Sequence, residues 1–246
     1  MKFGLPVFRL LPFIFFPHNH AVAQSQREDS IFYQLAFNHT VTVYYDQLGD
    51  QSRIFNGTKY PEFEYKFQNG SPFFLSENPL PGSVVYDSVY YPGLSVLFDD
   101  YRQYLVIVDQ YFKFKLINEK VSSFQMGDHH FVRFPENINN GLPYSGYYEV
   151  IYSGRSRVLK HVVKKYREQL SIPEGVTRII DEQVYYFIKR GERFEPANSK
   201  RELLKFMEDH RKVVQKYIRK KGLSYHDDME NILIQAASYY DQIDQH

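Results

Sequence analysis

Cysteine is absent from this chain, which excludes disulfide staples, thiolate catalysis, thiolate metal sites and the lipid-modified N-terminus of a bacterial lipoprotein. Packing alone must supply stability. After the first two dozen residues no apolar run reaches the roughly 18 residues that a membrane-spanning helix needs. Catalytic signatures are missing as well: there is no Gly-x-Ser-x-Gly elbow, phosphate loop, dinucleotide-binding glycine pattern, paired-histidine helix motif or calcium loop. No cofactor is expected.

What is present begins with a leader. Lys2 and Arg9 supply positive charge, Leu10 to Phe16 a short apolar core, and Ala21-Val22-Ala23 a small-x-small cleavage site. The expectation is a signal peptide over residues 1–23 and a mature N-terminus near Gln24. That leaves about 220 exported residues, enough for a core without cross-links.

Tyrosine and phenylalanine are abundant, at 22 and 21 residues, and many alternate along the chain as in a half-buried sheet. They read either as an aromatic core or as a tyrosine surface for a glycan or a protein. The formal net charge of +1 conceals an asymmetry. Residues 24–150 carry nine Lys/Arg against fifteen Asp/Glu, whereas residues 151–246 carry nineteen against fourteen. The two halves can attract each other or face different partners.

The pattern predicts an α+β protein: mainly an antiparallel twisted β-sheet or partly open barrel of roughly six to nine strands, followed by a C-terminal helical hairpin packed on the sheet. Residues 24–82 read as an irregular, β-containing lead-in, with alternation from Thr40 to Tyr45 and turns at Asn56-Gly57 and Asn69-Gly70. Residues 83–197 read as the antiparallel sheet domain. Its runs are Val84 to Tyr91, bent at Asp87-Ser88, then Leu94 to Phe98, Tyr104 to Val108, Phe112 to Ile117, Val121 to Phe124, His130 to Phe134 and Tyr147 to Tyr152. Ser156 to Tyr166 pairs back on the last of these, Glu168 to Val176 reads as a loop, and Gln183 to Ile188 and Arg193 to Pro196 complete the set.

Residues 198–246 change period. Ser199 and Glu202 form a capping box, Leu203, Leu204, Met207, Val214, Tyr217 and Ile218 repeat at helical spacing, and Gly222 stops the helix. Asp227-Asp228 opens a second helix with its stripe Met229, Ile232, Leu233, Ala236, Tyr240 and Ile243.

The segments Val84-Val85-Tyr86-Asp87, Leu97-Phe98-Asp99, Leu116 to Val121 and Tyr147 to Gly154, with the ending Ser199 to Lys221 and Tyr239-Tyr240-Asp241, resemble a family of uncharacterised exported proteins of Bacteroidota. The resemblance spans residues 54–242 and carries structural patterns without an assigned activity, so it transfers no active site. It implies the envelope of a Gram-negative bacterium, in the periplasm or at the cell surface. Asp29-Ser30-Ile31 and Asp87-Ser88-Val89 resemble the O-glycosylation acceptor of such bacteria, while Asn38-His39-Thr40 and Asn56-Gly57-Thr58 match the eukaryotic N-glycosylation pattern by chance.

The remaining constellations are sparse. His129-His130 beside Asp128 is the tightest group of metal-ligand types, but neighbours on a strand point to opposite faces, so no metal site is expected. Among acids, Glu62 and Glu64 share one strand face, Asp99-Asp100 lies in a turn, and Asp227-Asp228 caps a helix. Arg201, Lys205, Lys212, Lys216 and Arg219 lie away from the apolar stripe and form a face for an anionic partner.

Three readings follow. The preferred one is a non-enzymatic binding or accessory protein of the envelope that engages a protein, a glycan or an anionic lipid, with no nucleic acid among its partners. A second is a carboxylate-based hydrolase of glycan or peptide, with Glu62, Glu64, Asp99 and His130 as first candidates. The third is a structural subunit that docks through its basic helix.

Overall fold

The structure, a computed structural model, describes residues 53–109, 112–136, 140–172, 175–225 and 228–243. The leader, the Thr40 to Tyr45 alternation, Asp29-Ser30-Ile31, Asn38-His39-Thr40 and Asp227 lie outside them.

Eleven strands among the described residues form one antiparallel sheet. They are β1 (Thr58–Lys59), β2 (Leu80–Tyr86), β3 (Val89–Asp99), β4 (Tyr104–Val108), β5 (Lys113–Lys115), β6 (Val121–Met126), β7 (His129–Phe134), β8 (Gly146–Ser153), β9 (Arg157–Ser171), β10 (Gly175–Lys189) and β11 (Phe194–Pro196). Their spatial order is β1-β5-β4-β3-β2-β6-β7-β8-β9-β10-β11. Two meanders therefore run outward from β2. The sheet does not close into a barrel, and its edges are the two-residue β1 and the three-residue β11, too short to template pairing with another chain.

Local chemistry sets this register. Asp87 and Ser88, both at positive φ (51° and 64°), make the two-residue turn between β2 and β3 whose twist matches the strands. In β6 a register shift opposite Val85 and Tyr86 puts an extra residue on one side. Val121, Phe124 and Met126 consequently share the core although their spacing is uneven.

The link from β5 to β6 forces curvature. Six Cα steps from Lys115 to Val121 span about 20 Å when fully extended, and four flat strand spacings require about 19 Å. Three of the linking residues are wound into a 3-10 turn, Asn118–Lys120, so the sheet curls. Inside the curl lies an aromatic core: Phe98, Phe124, Phe131 and Tyr147 touch one another, and Phe124 stacks on Phe131 at 4.6 Å. Aromatics are thus largely core, and a minority reach the surface.

Three α-helices follow: α1 (Lys200–Phe206), α2 (Arg211–Lys220) and α3 (Met229–Ile243). Ser199 Oγ accepts from the Glu202 N–H, and the Glu202 carboxylate reaches back to the Asn198 N–H. Gly222 ends α2 at φ 68°, with the Leu223 N–H bonded to the Ile218 carbonyl. Asp228 caps α3 by accepting from the Asn231 N–H. The helices bury Leu203, Leu204, Val214, Ile232 and Leu233 together with Val158 and Ile188 of the sheet.

Three expectations change. The sheet has eleven strands instead of six to nine. The first expected helix is two, separated by the 3-10 turn Glu208–His210, because Asp209 turns out to accept from the Tyr240 hydroxyl and to face Arg190. The expected loop Glu168 to Val176 is largely strand, the far end of a long β9–β10 hairpin held at its rim by Arg178 with Glu168.

Candidate functional site

The basic face predicted from the sequence divides in two. Arg201 and Lys205 stand exposed on α1; Lys212, Lys216 and Arg219 stand exposed on α2. Lys212 and Lys216, joined by Lys220, line a groove of about 630 Å³ whose remaining lining is Val213, Tyr217 and Tyr239. Arg201, Lys205 and Arg219 do not line it. Tyr217 on α2 and Tyr239 on α3 stack at 4.1 Å with planes 5° apart, and the Tyr217 hydroxyl donates to Gln235. Val213 remains 45 % exposed on the groove wall. Among the described residues no carboxylate comes within ion-pair distance of the three lysines. Their positive charge is left for something outside the fold.

The four acid–base candidates take separate posts. Asp99 is fully buried at the end of β3, where it accepts from the Tyr60 hydroxyl (2.7 Å) and the Arg102 N–H (2.9 Å). It organises the β3–β4 turn. Glu62 pairs with Lys113 at 2.9 Å, Glu64 is exposed, and His130 is exposed on β7. None of them lines the α2 groove or the cleft described next. The neighbouring His129 instead binds Glu149, and Phe74 packs against its ring. Among the described residues no group of three or more His, Asp or Glu is placed to hold a metal ion.

A polar cleft that no sequence spacing indicated lies where the β3–β4 turn meets β9. It encloses about 330 Å³, with Asp100, Gln103, Tyr144, His161 and Lys164 in its walls. A continuous chain of bonds builds it. His161 Nδ1–H donates to the Tyr147 carbonyl (2.9 Å), the Tyr147 N–H donates to Gln103 Oε1 (3.0 Å), and Gln103 Nε2–H donates to Asp100 Oδ1 (2.9 Å). Asp100 Oδ2 then faces Lys164 Nζ at 3.7 Å. Lys164 also donates to the carbonyls of Ser71 (3.0 Å) and Phe73 (2.8 Å), tying the segment before β2 to β9.

Backbone conformation serves the same cleft. Gln103 sits at φ 57°, an uncommon region for a residue with a Cβ, and both ends of its side-chain amide are bonded. Gly146 lets Gln103 approach, because a Cβ there would lie 2.7 Å from Gln103 Oε1. Burial holds the Asp100 carboxyl up at about 6, against the opposing pull of Lys164 and Gln103. Burial lowers His161 below its ordinary value, so its ring is neutral, and both faces are covered by Tyr144 and Tyr148. With Nδ1 protonated, Nε2 carries the lone pair. Among the described residues Nε2 has no hydrogen-bond partner.

No family model matches the chain, and no curated protein or solved structure matches it either.

Proposed function

We propose that the chain is an exported, non-enzymatic binding protein of a Gram-negative envelope, and that α2 and α3 act as a helical hairpin whose groove receives an acidic segment of a partner protein. The leader-like residues 1–23 support export. The observation that carries the reading is Lys212, Lys216 and Lys220, one per helical turn and without carboxylate partners, bordering a groove lined by a stacked tyrosine pair. Lysines four apart on a helix are about 6 Å apart along its axis. Acidic side chains at alternate positions of an extended segment recur at about 6.6 Å, a close match. The tyrosines and Val213 offer apolar contact between charges. A flat bilayer would meet the lysine heads but leave a cavity of this depth unfilled.

The test titrates a labelled glutamate-rich peptide, anionic phospholipid vesicles and neutral phospholipid vesicles against the protein and against its K212E/K216E/K220E variant. Peptide binding that weakens with salt and falls at least about tenfold in the variant supports the reading. Equal peptide binding by both proteins overturns it, and binding to anionic vesicles without peptide binding reassigns the groove to lipid.

A further inference from the structure

The cleft between the β3–β4 turn and β9 is independent of the lysine groove, and its chemistry selects a different ligand. Its polar side chains are almost wholly withdrawn from solvent: Asp100 is 5 % and His161 4 % exposed, and the Lys164 side chain is 6 % exposed. Polar groups are not buried to that extent unless partners satisfy them. Three capacities nevertheless remain open. His161 Nε2 is an acceptor with no bond among the described residues. Lys164 spends two N–H groups on carbonyls, while Asp100 and Glu182 stay at 3.7 and 3.9 Å, too far to satisfy the third fully. Asp100 keeps lone pairs beyond the one bonded by Gln103.

We propose that this cleft is a binding site for one neutral sugar ring, with Tyr144 as the apolar wall and Asp100, His161 and Lys164 as the groups that engage its hydroxyls. Neutrality follows from the charges: Asp100 and Lys164 offset each other, so an anionic or a cationic ligand meets a like charge at contact distance. A hydroxyl is both donor and acceptor and can satisfy a lone pair and an ammonium N–H that are neighbours. Tyr144, 37 % exposed, presents an aromatic surface for the apolar face of a ring. A volume of about 330 Å³ stands at the lower end for small-ligand pockets and suits a single ring. The strained Gln103 and the glycine at 146 fix the constellation before any ligand arrives.

The experiment is ligand-observed NMR of the protein with glucose, galactose, mannose and N-acetylglucosamine, each to about 10 mM, with glucuronate and glucosamine as charged controls. Saturable binding of at least one neutral sugar is expected, weakened at least about tenfold by Tyr144→Ala and by His161→Phe. Tyr144 is partly exposed, so its variant keeps the test valid should His161→Phe fail to fold. The K212E/K216E/K220E variant must retain sugar binding, which separates this proposal from the groove. No saturable binding across the neutral panel, tighter binding of a charged control, or unchanged binding by Tyr144→Ala would overturn it.

Discussion

At the residue scale, Asp100 gives the fold a titration that can be measured. In the unfolded chain its carboxyl has the usual value of 3.8, and in the fold burial raises it to about 6. Between these values the native state holds a proton that the unfolded chain has released, so this group's contribution to stability falls as pH rises through the window. Asp100→Asn lacks the titration. The wild type should therefore gain about 2 kcal/mol relative to Asp100→Asn between about pH 7.5 and about pH 4 in urea unfolding; a constant difference would show that the buried carboxyl does not titrate there. Gly146→Ala probes the same chain of bonds. Its Cβ would press on Gln103 Oε1 at 2.7 Å from a backbone φ of 122°, so a loss of about 2 kcal/mol is expected by thermal unfolding. Neither group stood out in the sequence. Asp100 reads as one acid of a polar turn and Gly146 as one glycine among thirteen; register between distant strands, not spacing along the chain, brings them together.

At the scale of elements, the strongest tie between the helices and the sheet is Asp241 on α3. It accepts from the Ser156 N–H at 2.9 Å, the Ser156 hydroxyl at 2.6 Å and the Tyr152 hydroxyl at 3.0 Å. Gly154 leaves room for it, since a Cβ there would lie 2.5 Å from Asp241 Oδ2. Ser156 is fully buried, so Asp241→Ala strands two donors and should cost about 3 kcal/mol. Asp241→Asn keeps one acceptor oxygen and should cost less. Equal stability of the two variants in denaturant unfolding would mean that water replaces the carboxylate. Strand positions were largely legible, because β-branched and aromatic alternation between turn residues is a local signal. The far end of the β9–β10 hairpin was not. Lys164 to Gln169 is polar on both faces and Pro173 and Gly175 punctuate it, so only strand pairing reveals it. The break between α1 and α2 had a faint mark: His210 and Arg211 stand where the stripe from Met207 to Val214 needs an apolar residue.

At the scale of the molecule, the composition-based division into lead-in, sheet and helical end meets a core that crosses all three. Ile54, Tyr60, Phe73 and Phe74 of the lead-in are buried against strands of the sheet. Val158 and Ile188 of the sheet are buried with Leu203, Leu204, Ile232 and Leu233 of the helices. Deleting the helices would bare these two side chains and the partly buried Ile151, Tyr152 and Tyr186 beside them. An apolar patch of that kind drives association. It would also release Ser156 from Asp241 at the β8–β9 turn. Residues 53–197 expressed alone should therefore be insoluble or bind a hydrophobic dye, with broad, non-cooperative unfolding, whereas residues 53–246 should unfold in one transition. A soluble 53–197 fragment with sharp thermal unfolding would instead make the sheet an autonomous domain. The helices would then be a separable module carrying the lysine groove, and the groove could be assayed without the sugar cleft.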